Sequence, residues 1–151
     1  MNSKDLLHSI LSDMRVELTE EFDMNFERKA FFTDKWKKRA NPNAKGSLLI
    51  VTGTLRRSIR SEVRGNGVRF SSAVPYASIH NEGGTGAKPV RAHTRRGKKG
   101  KTHQVKAHTR KFKMPQRQFI GDGKRTQEII KGVIIDNLKD FNVQLTRVLK
   151  K

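Results

Sequence analysis

Residues 48–84 read LLIVTGTLRRSIRSEVRGNGVRFSSAVPYASIHNEGG, and this stretch decides the fold. Leu55, Ile59 and Val63 share one parity, whereas Arg56, Ser58, Arg60, Glu62 and Arg64 share the other. Alternation at period two marks a strand with one buried and one wet face. Thr52-Gly53 turns the chain into that strand, with glycine supplying the backbone freedom. Leu48 to Val51 lead into it. Gly65-Asn66-Gly67 interrupts the pattern and Val68-Arg69-Phe70 resumes it, which predicts a hairpin. The flanking segments carry helical patterns. The expectation is an α+β fold, an antiparallel β-sheet flanked by long N-terminal and C-terminal helices.

Before the sheet, Leu7, Leu11, Met14, Leu18 and Phe22 recur at spacings of three and four. This predicts an amphipathic helix from about Lys4 to Arg28, capped by Ser3 with Asp5 in its first turn. Thr33-Asp34 reads as a turn or a fresh cap. Trp36, the one tryptophan, is expected to anchor that helix on the sheet. After the sheet, Ile129, Ile130, Val133, Ile134, Leu138, Phe141, Leu145, Val148 and Leu149 predict a second helix, about Lys124 to Lys150. Its broader stripe should pack deeper. Between hairpin and basic segment, Pro75 opens a helical turn that puts Tyr76 and Ile79 on one face. His80 and Glu82 stand two residues apart and do not face each other. No nucleophile–base set, metal cluster or phosphate-cradling glycine loop completes a site, so neither catalysis nor a cofactor is expected.

The 151 residues suit a single domain with a modest core. Only 34% are hydrophobic and 31% are charged, so part of the chain should stay outside the core or be buried by a partner. The net charge of +19 calls for a polyanionic or acidic neighbour. Absence of cysteine excludes disulfides and thiolate metal sites. No apolar run has signal-peptide or membrane-span length, so a soluble protein made in the cytoplasm is expected.

The charge is concentrated. From Thr85 to Gly121 there is no acidic residue, and Lys88 to Arg117 contains twelve Lys or Arg. Within it, Val90-Arg91-Ala92-His93-Thr94-Arg95 is echoed by Val105-Lys106-Ala107-His108-Thr109-Arg110. Two such arms around Gly97-Lys98-Lys99-Gly100-Lys101 predict a second hairpin, an arm at about 86–112. Val90, Ala92 and Thr94 share a face with Val105, Ala107 and Thr109 only if the loop is even, such as Lys99-Gly100. The opposite face would then carry Arg91, His93, Arg95, Lys106, His108 and Arg110. The arm repels itself, and an isolated hairpin is marginal, so disorder in the free protein is one reading. Ordering by nucleic acid or an acidic partner is another. A metal site on His93, His103 and His108 is a third, opposed by the missing carboxylates and the cationic field. With Phe112 the only aromatic there, contact with DNA would be to phosphates and independent of sequence. The candidate contacts are Lys88, Arg91, Arg95, Arg96, Lys98, Lys99, Lys101, Lys106, Arg110, Lys111 and Lys113.

Three motifs stand in order: Leu49-Ile50-Val51-Thr52-Gly53-Thr54-Leu55-Arg56-Arg57-Ser58-Ile59, then Pro75-Tyr76-Ala77-Ser78-Ile79-His80-Asn81-Glu82-Gly83, then Met114-Pro115-Gln116-Arg117-Gln118-Phe119-Ile120-Gly121. Together they resemble the virion morphogenesis family of Mu-like phages, the tail completion or head–tail joining proteins, from about Phe26 to the C-terminal helix. The resemblance marks Trp36, Thr52, Gly53, Leu55, Ser58, Ile59, Tyr76, Ala77, Ile79, His80, Gly83, Pro115, Arg117, Phe119 and Gly121 as motif or core positions. Trp36, Leu55, Tyr76, Ile79 and Phe119 should be largely buried. Thr33-Asp34-Lys35 replaces the family's usual Pro-x-Gly, and the basic repeat lies outside the shared pattern. The resemblance implies a non-enzymatic assembly protein of a phage or prophage. Its implied partners are further copies of itself in a ring and the phage neck or tail terminator proteins. It would be found in the host bacterial cytoplasm during assembly, then at the virion neck or tail top. DNA backbone is a further candidate partner, and no membrane partner is expected. The alternative is a non-sequence-specific nucleic-acid-binding module of ribosome-associated type.

Overall fold

The computed structural model describes residues 2–150. Helix α1 (Ser3–Arg28) is capped by Asn2, not Ser3. Asn2 Oδ1 accepts from the Lys4 and Asp5 amides at 2.9 and 3.0 Å, and Asp5 Oδ2 accepts from the Asn2 amide at 2.9 Å. This reciprocal box satisfies donors that the first helical turn leaves free. Helix α4 (Lys124–Leu149) runs antiparallel to α1: Leu18 packs near Ile129 and Ile130, and Asn137 Nδ2 donates to Asp13 Oδ2 at 2.8 Å. Each helix is roughly 39 Å long at ~1.5 Å per residue. No helix among the described residues is long and apolar enough to cross a membrane.

The fold is α+β, with the long helices flanking antiparallel strands, but the strands do not form one sheet. Among the described residues they make four separate two-stranded ribbons: β1 (Ala30–Phe31) with β2 (Asp34–Lys35), β3 (Ile59–Arg64) with β4 (Gly67–Ser72), β5 (Gly84–Val90) with β8 (His108–Met114), and β6 (His93–Arg96) with β7 (Thr102–Val105). The expected sheet fails to assemble because β3–β4 packs on α1 instead of on another strand. Ser61 and Phe70, paired across the ribbon, meet Thr19 (Oγ to Oγ1, 2.9 Å) and Phe22 (ring centroids 5.0 Å apart). Arg60, Glu62, Arg64 and Arg69 point away, and charged edges resist further pairing.

The expected strand around Leu55 is corrected too. Thr54–Ser58 is a short helix, α2, and the strand starts only at Ile59. Gly53, at φ 71°, therefore turns the chain into a helix. Leu48 to Val51 forms no strand; Leu49 sits at φ 61° in a turn closed by the Ile50 amide on Ser47 O at 3.1 Å. The Gly65–Asn66 hairpin turn is present, with Gly65 at φ 59° and Arg64 paired to Gly67. The short helix α3 (Ala77–Glu82) follows Pro75 and Tyr76.

Two adjoining clusters make the core. Phe26, Trp36, Leu55, Ala77 and Phe119 form one; Leu18, Phe22 and Phe31 form the other, with Ile120 touching both. Both sit at the C-terminal half of α1. Beyond Phe141, α4 has no buried residue; this stem still shares a cleft with Leu6 and His8 of α1 through Gln144.

Candidate functional site

The segment after β8, Pro115 to Gly121, belongs to no helix or strand, yet Arg117 and Phe119 on it are buried. Its backbone polar groups must find partners, and one backbone carbonyl and several side chains from elsewhere supply them. Arg117 N donates to His80 O at 2.8 Å. Trp36 Nε1 donates to Gln118 O at 2.6 Å. Asn81 Oδ1 accepts from the amides of Phe119 and Ile120 at 2.9 and 3.1 Å. Asn25 Nδ2 donates to Phe119 O at 3.1 Å, while its Oδ1 accepts from the Phe32 amide at 2.8 Å. The segment is thus threaded through the domain and held at four successive residues.

Asn25 and Asn81 went unnoticed in the sequence. The trace of Asn25 was there: it continues the Leu18, Phe22 spacing onto the buried face of α1, where a polar residue needs a partner. Asn81 has no such trace, because its partners lie 38 and 39 residues away.

The three motifs meet at this thread. Gly83, at φ 75°, lets the second motif approach the third; a Cβ there would lie 2.7 Å from Gln116 N. Ala77 is buried and Ile79 half-buried in the contact. Ser58 Oγ reaches Leu55 O and Ser72 Oγ, both at 2.7 Å, joining α2 to β4. Arg56 forks onto Asp23 of α1 and reaches Glu27 Oε1 at 2.9 Å, which holds its pKa above the ordinary arginine value. Gly121, at φ 125°, turns the chain toward α4.

Arg117 is 5% exposed, and no carboxylate among the described residues lies within ion-pair distance. Its Nε donates to Lys37 O at 2.9 Å and its Nη2 to Lys38 O at 3.4 Å. Burial and nearby Arg39 push its pKa down. Burial, then the Arg117 charge, likewise lower the pKa of His80, whose Nδ1 is buried without a hydrogen-bond partner. Tyr76 is corrected: it is 45% exposed, because it caps α3 at the rim and stands edge-on to His80 at 5.9 Å. An open cleft of about 340 Å³ lies here, lined by Arg39, Val51, Thr52, Tyr76, His80 and Arg117 among others. Half-buried Pro115 lines a second cleft with Lys37, Lys38 and Lys113. Nothing in either cleft pairs a nucleophile with a base. Among the described residues no group of three His, Asp or Glu is placed to hold a metal.

The basic segment is a ribbon, and its register differs from the expected one. β5–β8 runs from Gly84↔Met114 to Val90↔His108, and β6–β7 continues it from His93↔Val105 to Arg96↔Thr102. The loop is Gly97–Lys101, five residues instead of two, closed by Gly97 N on Lys101 O at 2.8 Å. An odd loop pairs residues of like parity, so Thr94 faces Gln104 and Arg95 faces His103. The apolar face and the basic face do not separate. The repeat has another role: each copy makes the same local hydrogen bond. Between the two ladders lie Arg91-Ala92 and Lys106-Ala107, unpaired. His93 Nδ1 bonds Arg91 O and His108 Nδ1 bonds Lys106 O, both at 2.9 Å. A carbonyl can only accept, so each Nδ1 carries the proton. The cationic side chains of both ladders and of the tip are exposed.

A family model, described as the phage virion morphogenesis family, matches residues 25–139. The match begins at Asn25, spans the three motifs and the arm, and ends on α4. No curated protein and no solved structure matches the chain.

Proposed function

The chain belongs to the phage virion morphogenesis family, and from that premise we propose that it acts in tail completion or head–tail joining, as a self-associating component of the neck or tail top. A phage structural and assembly role follows from the family; the step and the location are our reading. The observation that carries it is the division of the molecule. The motifs are spent on holding one thread, Pro115 to Gly121, in place, which is scaffolding and not chemistry. What remains for partners is the stem of α4, with Leu145, Val148 and Leu149 exposed on one side, and the basic arm. A subunit with an apolar stem at one end and other surfaces elsewhere suits head-to-tail contacts, which close into rings. Tail terminator and neck proteins would be its neighbours, met in the host cytoplasm during assembly. Family membership weighs for this reading over a ribosome-associated nucleic-acid module.

The test is electron microscopy of particles assembled with and without the protein. Separate, unjoined heads and tails in its absence, and a ring at the junction in its presence, are expected. Normal joined particles without it would overturn the reading.

A further inference from the structure

The arm's register distributes its charge over two faces. In β5–β8, Lys88 stands opposite Arg110 on one face, while Lys111 and Lys113 lie on the other. In β6–β7, Arg95 and Arg96 point to opposite faces. A ribbon built to lie on an acidic protein surface needs cations on one face only. Like charges directly opposite also destabilise a bare ribbon, so an anionic wall on each side would relieve it.

The chain's own acidic surface is too small to be that wall. Eleven cations lie between Lys88 and Lys113, with no acid among them. Helix α1 holds seven of the chain's fourteen acids, but Asp5, Asp13, Glu21, Asp23 and Glu27 are engaged by Asn2, Asn137, Arg28 and Arg56. Only Glu17 and Glu20 of α1 are left. Phe112, the arm's one aromatic, lies over Gly86, and a single ring makes no stacking track for successive bases.

We propose that the ribbon Gly84–Met114 is a duplex-DNA-binding arm that seats in the major groove and touches phosphates on both walls without reading sequence. The major groove, ~12 Å wide, admits a two-stranded ribbon. From Gly84 to Arg96 the ribbon reaches roughly 40 Å at ~3.3 Å per residue, enough to follow one duplex turn of ~34 Å. The unpaired Arg91-Ala92 and Lys106-Ala107 interrupt both ladders at one level, where the ribbon can curve to follow the groove. At its root Lys113 shares a cleft with Lys37 and Lys38, which extends the cationic track onto the body.

The test is fluorescence anisotropy of the full chain with a labelled 30-base-pair duplex across a salt series. Binding of micromolar strength or weaker is expected at physiological salt. If about five phosphates are neutralised, affinity falls roughly 500-fold between 50 and 200 mM salt. Replacing Arg95, Arg96, Lys98, Lys99 and Lys101 by serine should remove most of the binding with the thermal melt unchanged. The pair Lys88→Gln with Arg110→Gln, and separately Lys111→Gln with Lys113→Gln, should each lower the log–log salt slope by about 0.9, one phosphate per face. Should one pair be silent, the arm lies flat on its ligand and groove seating is wrong. Equal affinity for a single strand of the same length overturns it too, as does a tenfold preference between unrelated duplexes. If the wild type binds no DNA but the serine variant loses self-association, the arm docks on protein and the proposal fails.

Discussion

Asn25 and Phe119 are 94 residues apart, and a single amide joins them: Asn25 Nδ2 on the Phe119 carbonyl at 3.1 Å, with Asn25 itself fully buried. The bond fixes the thread to α1 from one side while Asn81 fixes it from the other. Replacing Asn25 by leucine keeps the volume and strands the Phe32 amide and the Phe119 carbonyl. We expect a loss of about 2–4 kcal/mol in urea denaturation. A loss within error of zero would mean that the thread is held without this latch.

Phe119 fills the space between Phe26, at a centroid distance of 5.0 Å, and the rest of the first core cluster. Phe119→Ala should cost roughly 3–5 kcal/mol. A thermal melt equal to that of the wild type would show that the side chain is not a core element.

Two glycines should respond differently to alanine. At Gly83 the new Cβ meets backbone, 2.7 Å from Gln116 N, at φ 75°, so strain alone should cost about 1–3 kcal/mol. At Gly86 it meets only the ring of Phe112, a partly exposed side chain that can rotate away. Melts of the two variants in parallel check the order; a more damaging Gly86→Ala would contradict the close approach of the second and third motifs.

Stability should weaken in mild acid through His80. The unfolded chain takes up this proton near pH 6.5, whereas burial and Arg117 keep the folded ring neutral to lower pH. The contribution is complete above 6.5 and disappears as pH falls from there through the folded-state value. The melting temperature of the wild type should therefore drop more between pH 7 and pH 5 than that of His80→Gln. Identical pH profiles would remove His80 from the account.

The stem should govern self-association. Leu145 and Leu149 are 48% and 77% exposed, so changing both to serine should leave the melt within about 0.5 kcal/mol of wild type. Sedimentation should show that the wild type associates at high concentration, or with the tail terminator, and that the variant does not. Association undiminished in the variant would place the contact elsewhere.

Local order in the chain was enough to locate both long helices, the Gly65–Asn66 hairpin and the basic arm. Each announces itself through a period, a turn residue or a run of charge within a short window. The three motifs were legible as motifs for the same reason. Leu55 and Ile59 show where such reading stops: a spacing of four satisfies both period two and a helical turn, and only the packing of Leu55 against Phe26, Trp36 and Phe119 decides for the helix. The arm's register turned on whether its loop held two residues or five, and this difference in parity mixed the expected apolar and basic faces. The strands remained separate ribbons because β3–β4 found α1 as its partner. The capture of the Phe119 backbone by Asn25 and Asn81 was decided by the tertiary structure alone. A hydrogen bond between residues far apart leaves no period in the sequence, and its partners become neighbours only when the chain has closed around them.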